Sequence, residues 1–339
     1  MTNETTQDPL LNSQRMPRSA EQAPNVGRPC RLSVVVPCYD EQEVLPETLA
    51  QLRRLMDRLT SIGKIDAGSE VVFVDDGSRD RTWELVRAAN QLDRRIRGIK
   101  LSANRGHQVA LLAGLVAAGG DAIVSIDADL QDDVAAIESM VDAYRAGKDV
   151  VYGVRSNRAS DSGFKRNTAQ WYYKILAALG VKIVYNHADF RLLSRRALEA
   201  LKQYPEVNLF LRGIVPLMGF PSATVHYERA PRLAGTAKYP LRKMLGLALD
   251  GVTSFSAFPL RLIAVLGIAI SILSAGMIFW VLWIKLVAGR AVPGWASSVI
   301  PIYFLGGVQL LSLGVIGEYV SKLYFEAKRR PRYFIEEQI

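Results

Sequence analysis

Asp121-Ala122-Ile123-Val124-Ser125-Ile126-Asp127-Ala128-Asp129-Leu130-Gln131-Asp132 is the stretch on which the reading of this chain turns. A short apolar run ends in two carboxylates one residue apart, and a helical stretch from Asp132 to Gly147 follows. That is the pattern of a strand, a turn and a helix. The same unit recurs upstream. Leu32-Ser33-Val34-Val35-Val36-Pro37 precedes a helical stretch from about Glu41 to Ile62. Glu70 to Gly77 precedes a helix from Asp80 to Asn90, and Gly98-Ile99-Lys100-Leu101 precedes one from His107 to Ala118. Asp149 to Val154 is a further strand. Alternating β and α units of this kind predict an α/β fold with a mostly parallel sheet covered by helices on both faces.

Ligands of such sheets sit beyond the carboxyl ends of the strands. Three strand ends here are acidic or polar: Pro37-Cys38-Tyr39-Asp40-Glu41, Asp75-Asp76-Gly77-Ser78 and Asp127-Ala128-Asp129. Buried carboxylates are costly unless a cation or hydrogen-bond donor meets them, so a ligand or metal is one reading. Capping of the following helices is the other, and Asp80 before Arg81-Thr82-Trp83 suits it. Alternate residues leaving a strand, as in Asp127-x-Asp129, can aim oxygens at one Mg²⁺ or Mn²⁺ while substrate phosphates complete the octahedron. A P-loop and a G-x-G-x-x-G are both missing after the first strand, which argues against an ATPase or a nicotinamide enzyme.

The 339 residues leave room for a full catalytic core, and the two cysteines, Cys30 and Cys38, form no C-x-x-C, so a zinc site or disulfide scaffold is not expected. Residues 1–29 are polar and lack a signal-peptide core, and read as a disordered tail. Leu262 to Ile284 and Ala291 to Gly317 are uncharged runs of 23 and 27 residues, each long enough to span a bilayer. Arg242, Lys243 and Arg261 precede the first, and Lys322, Lys328, Arg329, Arg330 and Arg332 follow the second. This bias places both flanks, and the large domain with them, in the cytoplasm. The basic residues of the flanks read as anchors to anionic lipid. Apolar residues mixed with Arg242, Lys243 and Asp250 between Leu241 and Phe258 suggest a helix lying on the membrane surface.

Val34 to Glu41, Val74 to Thr82, Asn104-Arg105-Gly106-His107 and Asp127 to Asp132 together resemble the inverting family 2 nucleotide-sugar glycosyltransferases of the GT-A fold. Gly153-Val154-Arg155, Ala188 to Ser194 and Arg232 to Tyr239 continue the likeness. With the two C-terminal spans, the chain is similar to polyprenyl-phosphate glycosyltransferases of the bactoprenol glucosyltransferase and dolichol-phosphate mannose synthase type, over about residues 31 to 330. The family usually has Gly-x-Ser-Lys-Tyr where Ala237 precedes Lys238-Tyr239 here, so no hydroxyl is available at that position.

The resemblance implies an organisation: an N-terminal tail (1–29), a cytoplasmic GT-A catalytic domain (30–230), an acceptor loop and interfacial helix (231–259), two transmembrane helices (260–325) and a basic tail (326–339). It implies a nucleotide-sugar donor at Pro37, Tyr39, Glu41, Asp75, Asp76 and Asp127, with Mg²⁺ or Mn²⁺ on Asp127 and Asp129 and the sugar near Gln131 and Asp132. Arg155, Arg229, Arg232 and Lys238 would hold the acceptor phosphate and the departing diphosphate, with Asp189, Arg191 and Lys238 at the reacting atoms. Asp189 then orients the acceptor or acts as a base, or forms a salt bridge with Arg191 or a neighbouring arginine. His107 reads as a positioning residue, since no second His or Cys is near it in sequence.

The expected reaction moves a hexose, glucose from UDP-glucose by subgroup, onto polyprenyl phosphate at the inner membrane. Expected partners are the membrane and further copies of the chain, a tetramer among the possibilities, and not nucleic acid. A processive polysaccharide synthase would bring more spans and a Gln-x-x-Arg-Trp motif, which the sequence lacks. A non-catalytic nucleotide-sugar-binding scaffold would not need the intact Asp127 and Asp129.

Overall fold

Strands β1 (Leu32–Cys38), β2 (Glu70–Asp75), β3 (Ile96–Leu101) and β4 (Ala122–Ser125) lie parallel, with β1 between β2 and β4 and β3 outside β2. All residues of β1, β2 and β4 are buried because helices cover both faces, which is why the centre of each strand is a continuous apolar run. The coordinates are a computed structural model that describes residues 28–156, 187–206, 211–228, 258–287 and 294–339. Helices α1 (Leu45–Ser61), α2 (Thr82–Leu92) and α4 (Ala136–Arg145) pack on one face around Phe73 and Met140. Helix α3 (His107–Ala117) covers the other with α5 (Arg195–Lys202) and α6 (Leu211–Leu217), around Val35, Val74 and Leu198.

The four expected helices are present, but two start later than periodicity suggests. Pro46 sets the first turn of α1, and the Glu41 amide donates to Thr82 Oγ1 instead of entering a helix. Ahead of α4, Leu130 takes a left-handed backbone (φ 54°) that a leucine adopts only at a cost, so the chain turns sharply after Asp129.

Beyond β4 the sheet becomes mixed. β6 (His187–Ser194) is antiparallel to β4 and to β5 (Val150–Arg155), and β7 (Ser222–Tyr227) is parallel to β5. β8 (Ile335–Gln338) closes the other edge antiparallel to β3, giving the order β7-β5-β6-β4-β1-β2-β3-β8. This corrects the reading of 326–339 as a basic tail. Arg332 is not a lipid anchor either, because its guanidinium donates to the carbonyls of Tyr204 and Glu206.

Helices α7 (Phe258–Val287) and α8 (Trp295–Lys328) contain apolar windows with mean hydropathy 2.1 and 1.3, neither buried against the rest of the protein. Both are long and apolar enough to cross a membrane. The 34 residues of α8 reach about 51 Å at 1.5 Å per residue, beyond the roughly 30 Å of a hydrocarbon core. Charged residues are confined to its last part, from Glu318 to Lys328, ahead of β8. The expected surface helix at 241–258 lies outside the described residues, apart from Phe258, which opens α7.

Candidate active site

The β1 and β2 ends form the first part of the rim. Pro37 is the next-to-last residue of β1, paired with Val74. Tyr39, just beyond, leaves 41% of its surface exposed, enough for a planar base to stack on. Asp75 and Asp76 are both buried. Asp75 Oδ1 accepts from the amide and hydroxyl of Ser78, while its Oδ2 has no partner among the described residues. Asp76 accepts from the amides of Arg105 (2.7 Å) and Gly106 (2.8 Å), fastening the 104–106 loop to the end of β2. That closeness requires Gly77: with φ +72°, a Cβ there would lie 2.8 Å from the Asn104 amide nitrogen. Burial raises both acids above the ordinary carboxylate range, more than their amide partners lower them. Asp80 precedes the N-cap residue Arg81, and its carboxylate accepts from the Thr82 amide at the start of α2 and from the Gln42 amide.

Asp127 and Asp129, at the end of β4, are half-buried. Asp129 Oδ1 accepts from the Gln131 amide (3.2 Å), and Gln131 itself is buried. His107, at the N-terminus of α3, places Nε2 2.9 Å from Asp127 Oδ1 and Nδ1 3.9 Å from Asp189 Oδ2. It thus links the ends of β4 and β6. Burial disfavours a charged imidazole, but the two carboxylates outweigh it and hold the His107 pKa above the usual value. Among the described residues no three metal-ligating side chains cluster. Two half-exposed carboxylates are hard oxygen donors in an open set, which suits Mg²⁺ or Mn²⁺ when phosphate oxygens supply further ligands.

Asp189 and Arg191, on β6, are buried. Arg191 donates to Asp189 Oδ1 (2.6 Å) and to the Leu211 carbonyl (3.1 Å), so it holds the acid and the start of α6 in place. The buried guanidinium cannot reach a substrate in this arrangement, so its expected place at the reacting atoms becomes a supporting one. Arg212, which the sequence reading missed, forks onto Asp189 with contacts of 3.1 and 3.0 Å. Its only signal was one arginine in the otherwise apolar run Leu211-Arg212-Gly213-Ile214-Val215. Burial would raise the Asp189 pKa, but Arg212 and Arg191 overcome it and hold the carboxyl well below the ordinary range. A carboxylate so stabilised as an anion is a poor proton acceptor. Of the readings left open, the salt bridge is what the geometry contains.

Arg155 ends β5, with Nη2 3.3 Å from Asp132 Oδ1 and Nε 3.3 Å from the Tyr227 hydroxyl. The same hydroxyl donates to Asp132 Oδ1, and the Tyr227 ring meets Phe190 edge-on at 5.2 Å. Asp132 is buried and accepts from both the guanidinium and the hydroxyl, so it helps to hold Arg155. Tyr227 was also missed, because only the β5–β7 pairing brings it beside Arg155. Arg229, Arg232 and Lys238 lie outside the described residues.

The sequence profile described as "Glycosyl transferase family 2" matches residues 33–202, from β1 to the end of α5. The chain is similar to the uncharacterized glycosyltransferase YkoT of Bacillus subtilis (strain 168), 49% identical over 307 residues, or 90% of this chain and 91% of that protein. It is 39% identical over 309 residues to the bactoprenol glucosyl transferase of Shigella phage SfV, covering 91% of this chain and 99% of that one. A solved structure of glucosyl-3-phosphoglycerate synthase from Mycobacterium tuberculosis, in complex with Mn²⁺, UDP and phosphoglyceric acid, aligns with TM-score 0.45. That alignment is 19% identical and covers 67% of this chain and 77% of that chain.

Proposed function

We infer, from a chain that belongs to glycosyl transferase family 2 and has the GT-A fold, that it transfers glucose from UDP-glucose to polyprenyl phosphate, releasing UDP. The observation that carries this reading is the order of groups along one rim. An exposed aromatic and an amide-fastened loop stand at β1 and β2, a carboxylate pair at β4, and the partly exposed Arg155 at β5. A nucleotide, its diphosphate and a second anion would be met in that sequence. The two apolar helices and the relatives named bactoprenol glucosyl transferases support a lipid as carrier of the second anion.

The acceptor phosphate oxygen attacks the anomeric carbon, a carbon–oxygen bond to the phosphate forms, and the bond to the UDP oxygen breaks with inversion. A phosphate monoester with its second pKa near 6 is mostly dianionic at neutral pH, so no residue has to remove a proton. Asp189, held as an anion, agrees with that. Asp127 and Asp129 would hold the divalent cation, which supplies charge neutralisation at the departing diphosphate when bound. Arg155, with Arg229, Arg232 and Lys238, would draw the acceptor phosphate close and offset its charge.

The chain leaves the α/β domain for α7 and returns from α8 to β8 in the same sheet. Such a path suits two crossings, with both flanks on the side of the domain. Lys322, Lys328, Arg329 and Arg330 there favour the cytoplasmic face. Membranes containing the protein, given polyprenyl phosphate and a panel of radiolabelled nucleotide-sugars, should move label from UDP-glucose into the organic-solvent extract. Label from another sugar alone would replace the donor, and no extractable label from any would remove the reaction.

A further inference from the structure

The Arg155 group contains an imbalance that the reaction does not by itself explain. Asp132 Oδ1 receives two donors, the Tyr227 hydroxyl and Arg155 Nη2, while Oδ2 of the same carboxylate is buried with no partner among the described residues. The favoured geometry of an arginine with a carboxylate is a fork, with two parallel N–H···O bonds, one to each oxygen. Arg155 does not adopt it. Its Nε is drawn aside by the Tyr227 hydroxyl at 3.3 Å, and one nitrogen alone reaches Asp132. The side chain keeps 27% of its surface exposed, and Nη1 has no hydrogen-bond partner among the described residues.

We propose that Tyr227 is a positioning residue for the acceptor phosphate: its hydroxyl prevents Arg155 from closing into a fork on Asp132 and keeps Nη1 turned toward the substrate anion. The hydroxyl does this by donating to Asp132 Oδ1 and accepting from Arg155 Nε, so both potential fork partners are engaged on one side. The tyrosine is fixed independently of the arginine. Its carbonyl accepts from the amide (2.9 Å) and hydroxyl (3.1 Å) of Ser156, and its ring packs against Phe190, the neighbour of Asp189. Without the hydroxyl, the unmet Oδ2 would attract the guanidinium, and the group available to a phosphate would retract.

This inference rests on the polyprenyl phosphate reading, and the test separates the two. Tyr227→Phe keeps the ring and its packing while removing only the hydroxyl. Binding of a short-chain isoprenyl phosphate to the full-length protein in detergent would be measured by calorimetry for wild type, Tyr227→Phe, Arg155→Ala and the double variant. UDP-glucose binding and melting temperature would be followed in parallel. Tyr227→Phe should weaken the phosphate about tenfold, leave UDP-glucose affinity within about twofold, and add nothing in the Arg155→Ala background, as expected for two residues acting through one contact. An additive effect, an equal loss for both ligands, or no effect on the phosphate would each overturn the positioning role. A wild-type protein that does not bind the isoprenyl phosphate at all would instead overturn the acceptor reading, and this inference with it.

Discussion

Asp76 and Asp189 are buried carboxylates at strand ends of one sheet, yet Asp76 is held by the amides of Arg105 and Gly106 and Asp189 by the guanidinium groups of Arg191 and Arg212. The difference separates two tasks. Backbone amides bring no net charge, so the β1–β2 half of the rim keeps its acids at raised pKa and uses them to shape a loop. Guanidinium groups bring full charges, and two of them on one carboxylate leave the β6 end of the rim net positive. Shape suits a neutral base and ribose, and positive charge suits a phosphate. His107 stands where the two halves meet, within hydrogen-bonding distance of Asp127 and 3.9 Å from Asp189.

The largest effect is expected at that meeting point. Asp127→Asn or Asp129→Asn should reduce transfer by about a hundredfold or more, the scale on which charge stabilisation in a transition state is lost. Both side chains are half-exposed, so the melting temperature should hardly move. Turnover near the wild-type level would remove the division of the rim at β4.

A smaller effect, on stability, compares the halves directly. Asp189→Asn strands the buried Arg191 cation and should cost about 3–5 kcal/mol. Asp76→Asn turns an amide donor toward one of two backbone donors and should cost about 1–3 kcal/mol. Their pH dependence should differ in its range. Asp189 has a depressed pKa, so its contribution is complete above the ordinary carboxylate value of about 4 and lost only as pH falls through its own lower pKa. The carboxylate itself therefore adds no pH dependence to the cost of Asp189→Asn above about pH 5; the cost should shrink only as pH rises from about 6.5 and His107, whose raised pKa rests partly on Asp189, loses its proton. Asp76 has a raised pKa, so wild type loses stability relative to Asp76→Asn as pH rises from about 4 through the folded value, and the cost of that variant should shrink. Chemical denaturation at several pH values checks both, and parallel curves would erase the distinction.

The two halves were also unequally legible in the sequence. β1, β2 and β4 have continuous apolar centres, Val34–Val36, Val71–Val74 and Ala122–Val124, and each lies ahead of a helix in the chain, so local pattern alone revealed them and the acidic ends they carry. β6 reads His-Ala-Asp-Phe-Arg-Leu-Leu-Ser, with two charges that are buried only because they pair with each other and with Arg212. Nothing local signals a strand of that kind. Arg212 reaches Asp189 across 23 residues and Tyr227 reaches Asp132 across 95, so the partners of the charged half exist only once β6, β7 and α6 have assembled. β8 was hidden for a different reason. Its four residues follow a cluster of basic ones, and a short edge strand is defined by the β3 groups it meets.

β8 supplies the finest test of the β1–β2 half. Gly98 exchanges both backbone hydrogen bonds with Ile339, at 3.0 and 2.9 Å, and a Cβ at Gly98 would lie 2.8 Å from Val86 Cγ1, 2.9 Å from Trp83 Cζ3 and 3.0 Å from Ile339 Cγ1. These are side chains on α2 and at the residue that follows β8, so Gly98→Ala should push the edge strand outward at a cost of about 1 kcal/mol, the lower end of overpacking. The Ser102 amide donates to the Phe334 carbonyl just before the 104–106 loop that Asp76 fastens, so loosening β8 should reach that loop. Hydrogen exchange should accelerate at residues 335–339 and, more weakly, at Arg105 and Gly106, with the amides of β6 unchanged. Faster exchange at β6 as well would mean that the rim responds as one body, and the contrast between its halves would then be one of chemistry without mechanical independence.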